Sequence, residues 1–253
     1  MARGMRLDKL LAHAGRGTRS EIKRAVRLGR VEVNGQTARD PGMTVDPAAD
    51  EVRWDGEPVR YREHVYFMLN KPPGVVSATE DRRERTVADL LRPEDRSRNP
   101  FPVGRLDKDT EGLLLLTSDG RLAHELLSPK KHVDKVYEAL VAGAVGDADV
   151  RAFAAGVTLD DGYRTMPAEL VVRSVEEKDD GPLSSVVVTI REGKFHQIKR
   201  MFGALGKRVV RLRRVAMGPL RLDPDLAPGE YRELTEKEME ALAAAAAGAW
   251  SEG

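Results

Sequence analysis

Four consecutive leucines, Leu113 to Leu116, lie between a polar cluster and the turn residues Thr117-Ser118-Asp119-Gly120 in the stretch PVGRLDKDTEGLLLLTSDG, Pro102 to Gly120. A short apolar run closed by such a turn reads as a buried strand. The cluster ahead of it sets Asp107 among Arg105, Lys108 and Asp109. An opposite charge at contact distance favours the ionised carboxylate, and a carboxylate serves as nucleophile or acid/base without metal or cofactor. The same R-x-D spacing equally suits a loop salt bridge around a solvated aspartate. Spacing alone does not separate the two.

The chain of 253 residues has room for one domain with a full core and a smaller module. Only 5% of it is aromatic, so its core must rest on Leu, Val and Ala. The absence of cysteine removes disulfides, thiolate catalysis and Cys-based metal sites. The five histidines, His13, His64, His124, His132 and His196, show no metal-ligand spacing, so no metal centre is expected. No apolar segment follows the basic start MARGMR and no run of about 18 apolar residues occurs, which predicts a cytoplasmic protein with no membrane partner. Net charge is only +1, yet residues 1–39 hold ten Lys or Arg against three acids and residues 191–214 hold nine against one. Those two segments sum to +15 and leave about −14 elsewhere. A polyanion gripped at both places is one reading, with salt-sensitive affinity; solvated charged faces are the other.

In the N-terminal segment Leu7, Leu10, Leu11 and Ala14 recur at helical spacing, and Thr18 with Glu21 forms a capping-box signature for a second helix that turns Ile22, Ala25 and Val26 inward. Arg19, Lys23 and Arg27 then share one surface, with Arg16, Arg24 and Arg30 nearby. Arg30 to Val33 reads as a strand entering the Asn34-Gly35 turn. The charged stretch Asp50 to Glu63 holds little that could form a new core, which puts a boundary near Arg60.

Beyond it, Val65 to Leu69 is a candidate central strand broken by Asn70-Lys71-Pro72-Pro73-Gly74, and Glu80 to Asn99 reads as a charged surface excursion. A helix is predicted over 121–127. The basic cluster Lys130, Lys131, His132 and Lys135 precedes a strand whose alternation puts Lys135, Tyr137, Ala139 and Val141 on one face. Tyr137 is then a core-edge aromatic or an exposed ring beside a basic patch. A helix over 146–155, strands over 157–159, 169–173 and 185–190, and a polar loop over 176–182 follow. His196 to Leu205 is the clearest helix, with Ile198, Met201, Phe202 and Leu205 on one stripe and Lys199 and Arg200 turned away from it. Strands near 209–212, 218–222 and 231–234 and an alanine-rich helix reaching Ala247, capped by Thr235 and Glu238, complete an α+β chain. Trp250 reads as packing or fraying, not base binding.

PVGRLDKDTEGLLLLTSDG resembles the catalytic motif of the RNA pseudouridine synthases that modify ribosomal RNA and carry an N-terminal S4-like domain. The KPPG turn, LLSPKKHVDKVYEALV and EGKFHQIKRMFGALGKRVVRLRRVAMG resemble the same family in the same order, and RLDKLLAHAGRGTRSEIKRAVRLGRVEVNG resembles an S4 RNA-binding domain. The resemblance runs from about Arg6 to Leu234. It implies an S4-like RNA-binding domain over residues 1–60, a catalytic domain with a largely antiparallel central sheet over 61–240, and a tail over 241–253.

The resemblance further implies isomerisation of a uridine to pseudouridine without a cofactor. Asp107 would open the reaction, Arg105 or Lys199 would hold it ionised, and Tyr137 would stack on the uracil. Lys199 stands where other branches have arginine, so it keeps the charge and loses the bidentate fork. Arg16, Arg19, Lys23, Arg27, Arg30, Lys71, Lys130, Lys131, Lys135, His196, Gln197 and Arg200 are the expected RNA-binding residues. LLSPKKHVDKVYE and DGYRTMPAEL resemble the branch acting on small-subunit ribosomal RNA, free or in a partly assembled subunit. A large-subunit target and a non-catalytic RNA-binding assembly protein are the rivals. DNA is not expected as a partner, since no helix-turn-helix or zinc pattern occurs.

Overall fold

The computed structural model describes residues 4–59, 61, 63–128 and 133–247. The chain divides into two compact units, residues 1–65 with 92–99, and residues 66–91 with 100–253.

The first unit contains β1 (Met5–Arg6), α1 (Leu7–His13), α2 (Arg19–Arg27), β2 (Val31–Val33), β3 (Gln36–Thr37), β4 (Thr44–Val45), β5 (Val52–Trp54), β6 (Glu57–Pro58) and the short α3 (Pro93–Arg96). The capping box forms: Thr18 Oγ1 accepts from the Glu21 backbone, and Glu21 accepts from the Thr18 backbone at 2.7 Å. The helices bury Leu7, Leu10, Leu11, Ile22, Ala25 and Val26 against strand residues Val31, Val33 and Val45. The charged stretch after Asp50 is not coreless: β5 pairs with β2, and Val52 joins this cluster.

The second unit is built on β7 (Tyr66–Lys71), β8 (Phe101–Pro102), β9 (Glu111–Thr117), α4 (Gly120–Leu127), β10 (Lys135–Ala142), α5 (Asp147–Ala155), β11 (Glu169–Lys178), β12 (Gly181–Ile190), α6 (Gln197–Ala204), β13 (Arg208–Met217), β14 (Leu220–Arg221), β15 (Tyr231–Glu233) and α7 (Glu236–Ala247). Its sheet has the order β11-β12-β10-β13-β9-β7-β15, with β14 on β13 and β8 on β9. All pairings are antiparallel except β13 with β9, which run parallel over Arg213–Arg214 and Glu111–Gly112. The backbones meet there so closely that a Cβ on Gly112, at φ 99°, would lie 2.2 Å from the Arg214 carbonyl oxygen. Only glycine fits this junction, which welds the two halves of the sheet.

Leu113 to Leu116 are each at most 1% exposed, as a continuous apolar strand covered on both faces must be. Leu113 and Leu115 pack with Met68 and with Ala123 and Leu126 of α4 and Leu242 and Ala246 of α7. Residues 241–247, expected as part of a tail, continue α7, which turns Leu242, Ala245 and Ala246 into the interior of this unit. Phe153 of α5 and Phe202 of α6 meet at 4.8 Å between ring centres. Two further expectations fail. Residues 176–178 extend β11 and 181–182 begin β12, so the polar loop is the end of a long hairpin. Its six outer β11 residues are all exposed, and without a buried face they carry no alternation. Residues 157–159 make only an isolated bridge, Thr158 to Arg164.

Candidate active site

Asp107 sits in the loop between β8 and β9, and that loop is held by the turn that follows β7. Lys71, at 0% exposure, donates from Nζ to the carbonyls of Pro72, Lys108 and Thr110 at 2.9–3.2 Å. Gly74 N–H donates to Lys108 O at 2.8 Å. Ser77 Oγ donates to Leu106 O at 2.9 Å and accepts from Leu106 N–H at 3.0 Å. The residues on either side of Asp107 are therefore pinned by main-chain contacts, which is what fixes a catalytic side chain in place. Burial pulls the Lys71 pKa down to about 8, and the neighbouring charges of Asp109, Asp107 and Glu111 oppose that shift.

Lys199 of α6 reaches back to this loop. Its Nζ lies 3.2 Å from Asp107 Oδ2 and 2.5 Å from Asp109 Oδ1. Burial lowers the lysine's pKa, but hydrogen bonds to Asp109 and Asp107 outweigh it and leave the ammonium firmly charged. The same hydrogen bond holds the Asp109 carboxyl below its usual range. His196 Nε2 stands 3.6 Å from Asp107 Oδ1. It occupies a left-handed backbone position, φ 48°, and stacks on Phe195 with ring centres 3.7 Å apart. A β-branched or bulky residue rarely accepts that backbone, so the loop 192–196 is conformationally constrained.

Asp107 faces a cleft of about 750 Å³, within the range of small-molecule pockets, lined by Ser77, Arg105, Lys135, Tyr137, Met166, Phe195 and Arg214 among others. Tyr137 is 7% exposed and lines the cleft with one face of its strand, so it is at once core-edge and cleft-facing. Lys135 Nζ donates to Val133 O at 3.0 Å, and burial followed by the charge of Arg214 lowers its pKa to about 8. Among the described residues no group of three or more His, Asp or Glu side chains is placed to hold a metal ion.

The expected site residues divide accordingly. Asp107, Lys199, His196, Tyr137 and Lys135 converge. Arg105 lines the cleft but is exposed and makes no ion pair with Asp107, whose cationic partner is Lys199. Lys71, expected among the RNA-binding residues, is instead 0% exposed, with its ammonium directed to three main-chain carbonyls. Gln197 is likewise internal: 4% exposed, it accepts from Lys194 N–H and donates to Glu192, fixing the loop that carries His196. Arg200 is engaged by Asp160 and Asp161. Lys130, Lys131, His132 and Trp250 lie outside the described residues.

In the first unit Arg16, Arg19, Lys23 and Arg27 are exposed and form no ion pair among the described residues. Arg30 differs: its Nε donates to Asp55 at 2.8 Å and its guanidinium lies over Trp54. Among the described residues, five of the nine cations of 191–214 find counterions inside the fold. Asp134, Asp107, Asp109, Asp160, Asp161, Asp149 and Glu111 pair with Arg191, Lys199, Arg200, Lys207 and Arg211. These acids lie far away in sequence and are brought in by the fold. Ser77, which bonds both polar atoms of the Leu106 main chain, lies outside the quoted motifs, and Glu192, which opens the EGKFHQIKRM stretch, was not singled out although it accepts from Gln197 and from the Met166 N–H.

Residues 65–204 match the family model described as RNA pseudouridylate synthase, and residues 5–60 match the S4 domain. An uncharacterized RNA pseudouridine synthase of Bacillus subtilis is 52% identical over 94% of this chain and 98% of its own length. The ribosomal small subunit pseudouridine synthase A of Escherichia coli K12 is 41% identical over 93% and 98%. A solved structure described as a pseudouridylate synthase superposes with a TM-score of 0.64 at 38% identity, covering 94% of this chain and 99% of that one.

Proposed function

The chain belongs to the RNA pseudouridylate synthase family, and on that premise we propose that it isomerises a uridine of small-subunit ribosomal RNA to pseudouridine, in the cytoplasm, with Asp107 opening the reaction. The observation that carries this reading is Asp107 itself, anchored by the Lys71, Gly74 and Ser77 contacts, faced by the Lys199 ammonium, and opening onto a cleft that Tyr137 lines.

The reaction breaks the N1–C1′ bond, turns the uracil, and joins C5 to C1′, with no net gain or loss of atoms. Asp107 acts at the sugar, by adding to C1′ or by taking the C2′ proton. Lys199 positions it and keeps a positive charge against it. Tyr137 offers a flat face on which an extruded base stacks while its Watson–Crick edge stays readable. The target uridine must leave its stack to reach the cleft. The exposed cations of α2 are suited to phosphate contacts that position the RNA without reading its sequence. The small-subunit target is supported by relatives that carry that name at about 40% identity across nearly their whole length.

The test uses separately transcribed, unmodified small-subunit and large-subunit ribosomal RNA, free and partly assembled, with pseudouridine mapped by carbodiimide-dependent reverse-transcription stops. One new stop in small-subunit RNA, lost with Asp107→Asn, is expected. A stop only in large-subunit RNA would keep the chemistry and overturn the target. Tight, salt-sensitive binding with no stop in any RNA would favour an assembly role.

A further inference from the structure

Arg214 has no task in this scheme, yet its surroundings are those of a group awaiting a partner. The residue is 2% exposed. Its Nε donates to Leu113 O at 2.8 Å, while Nη2 is buried and has no hydrogen-bond partner. No ion pair among the described residues involves it. An unmade hydrogen bond from a buried charged donor carries its full desolvation cost, so such a group calls for an explanation.

Its position supplies one. Arg214 stands directly opposite Tyr137 on the neighbouring strand, where paired side chains lie side by side on one sheet face. Both line the cleft that holds Asp107. Lys135, two residues along β10 on the same face, adds a second cation there. A base stacked on Tyr137 would present an edge to the guanidinium.

We propose that Arg214 is a catalytic residue whose Nη2 donates to a uracil carbonyl oxygen and stabilises the charge that the base acquires when N1–C1′ breaks. This rests on the functional reading above. In that step the N1–C1′ electron pair leaves with the base as uracilate, its charge shared by N1, O2 and O4. C1′ is satisfied by an Asp107 oxygen, or by loss of the C2′ proton to Asp107. Turning the base about its N3–C6 axis exchanges O2 for O4, so a carbonyl oxygen faces Arg214 before and after. C5 then bonds to C1′, displacing the carboxylate or adding as C2′ regains its proton. The C5 proton leaves to solvent and N1 takes one up. A backbone phosphate would suit the same cation, but Nη2 lies out of contact with solvent, where the flat carbonyl edge of a base enters more readily than a hydrated phosphodiester anion.

The experiment is single-turnover conversion by the full chain of small-subunit ribosomal RNA transcripts containing uridine or 5-fluorouridine, whose base is the better leaving group. Nucleosides are analysed by mass spectrometry and chromatography. Arg214→Met should slow rearrangement of uridine by about 100-fold, the scale of one lost donor to a developing anion, and should slow glycosidic cleavage of 5-fluorouridine far less. The RNA concentration for half-maximal rate should barely move. Arg214→Lys, which can still reach the Leu113 carbonyl, gives the same readout if Arg214→Met does not fold. Equal losses on both bases would overturn the proposal and leave Arg214 a brace for β9. Weaker RNA binding with a smaller salt slope and an unchanged rate at saturation would overturn it in favour of a phosphate contact. Wild-type protein inert on both RNAs would instead overturn the functional reading itself.

Discussion

At the scale of single residues, two lysines do opposite kinds of work around one aspartate. Lys199 supplies a charge to the Asp107 carboxylate, whereas Lys71 supplies donors to the carbonyls of the loop beneath it. Replacing Lys199 with Met should lower kcat by roughly 10- to 100-fold with little change in RNA affinity, and Lys199→Arg should restore much of it, because the arginine keeps the charge. Failure of arginine to rescue would mean that Lys199 matters by shape. Lys71→Met leaves three carbonyls without their donor, and should destabilise the second unit by about 3 kcal/mol and lower kcat together. Calorimetry and single-turnover rates measure both, and a stable, fully active variant would contradict the anchoring role. Asp107, Tyr137 and Lys199 were legible in their motifs. Lys71 was legible only as a basic residue in a turn, since nothing local tells a surface lysine from one that three carbonyls will surround.

Among the elements, the buried ones declared themselves. The four leucines of β9, the stripe of α6 and the capping box of α2 all carry a strong local pattern, and all formed where that pattern lay. The outer half of β11 did not, because all six of its residues meet water. The terminal helix α7 is alanine-rich and starts at the Thr235 and Glu238 capping box that the sequence announces, but the sequence does not show that Glu238 also pairs with Arg232 at 2.8 Å. That hydrogen bond, first among the causes, lowers the Glu238 pKa to about 2. A carboxyl depressed from its ordinary value of 4.5 contributes stability that is whole above 4.5 and disappears as pH falls toward 2. Acid unfolding of the wild type should therefore steepen across that window, and Glu238→Gln should flatten it while lowering the melting temperature at pH 7. Identical acid limbs for the two proteins would show that the pair contributes nothing.

Over the whole molecule, a net charge of +1 hides an uneven division of labour. Five of the nine cations of 191–214 are spent on acids elsewhere in the fold, while those of α2 face solvent and form no ion pair among the described residues. Charge counting found both clusters and could not know that acids distant in sequence would pair with much of the second. The combined Arg19→Gln, Lys23→Gln and Arg27→Gln variant should weaken ribosomal RNA binding and reduce its salt slope by about 2 to 3, with the rate at saturating RNA unchanged. An unaltered slope would move the RNA grip away from α2. The central claim is that Asp107 drives an isomerisation in which C5 of uracil exchanges its proton for a bond to C1′. Release of tritium from small-subunit RNA transcribed with [5-³H]uridine reads that exchange directly. Wild-type protein should release tritium to the extent of about one uridine per RNA, and Asp107→Asn, folded and binding RNA equally well, should be slower by roughly 10⁴-fold or more. Release at an undiminished rate from the asparagine variant would contradict the account.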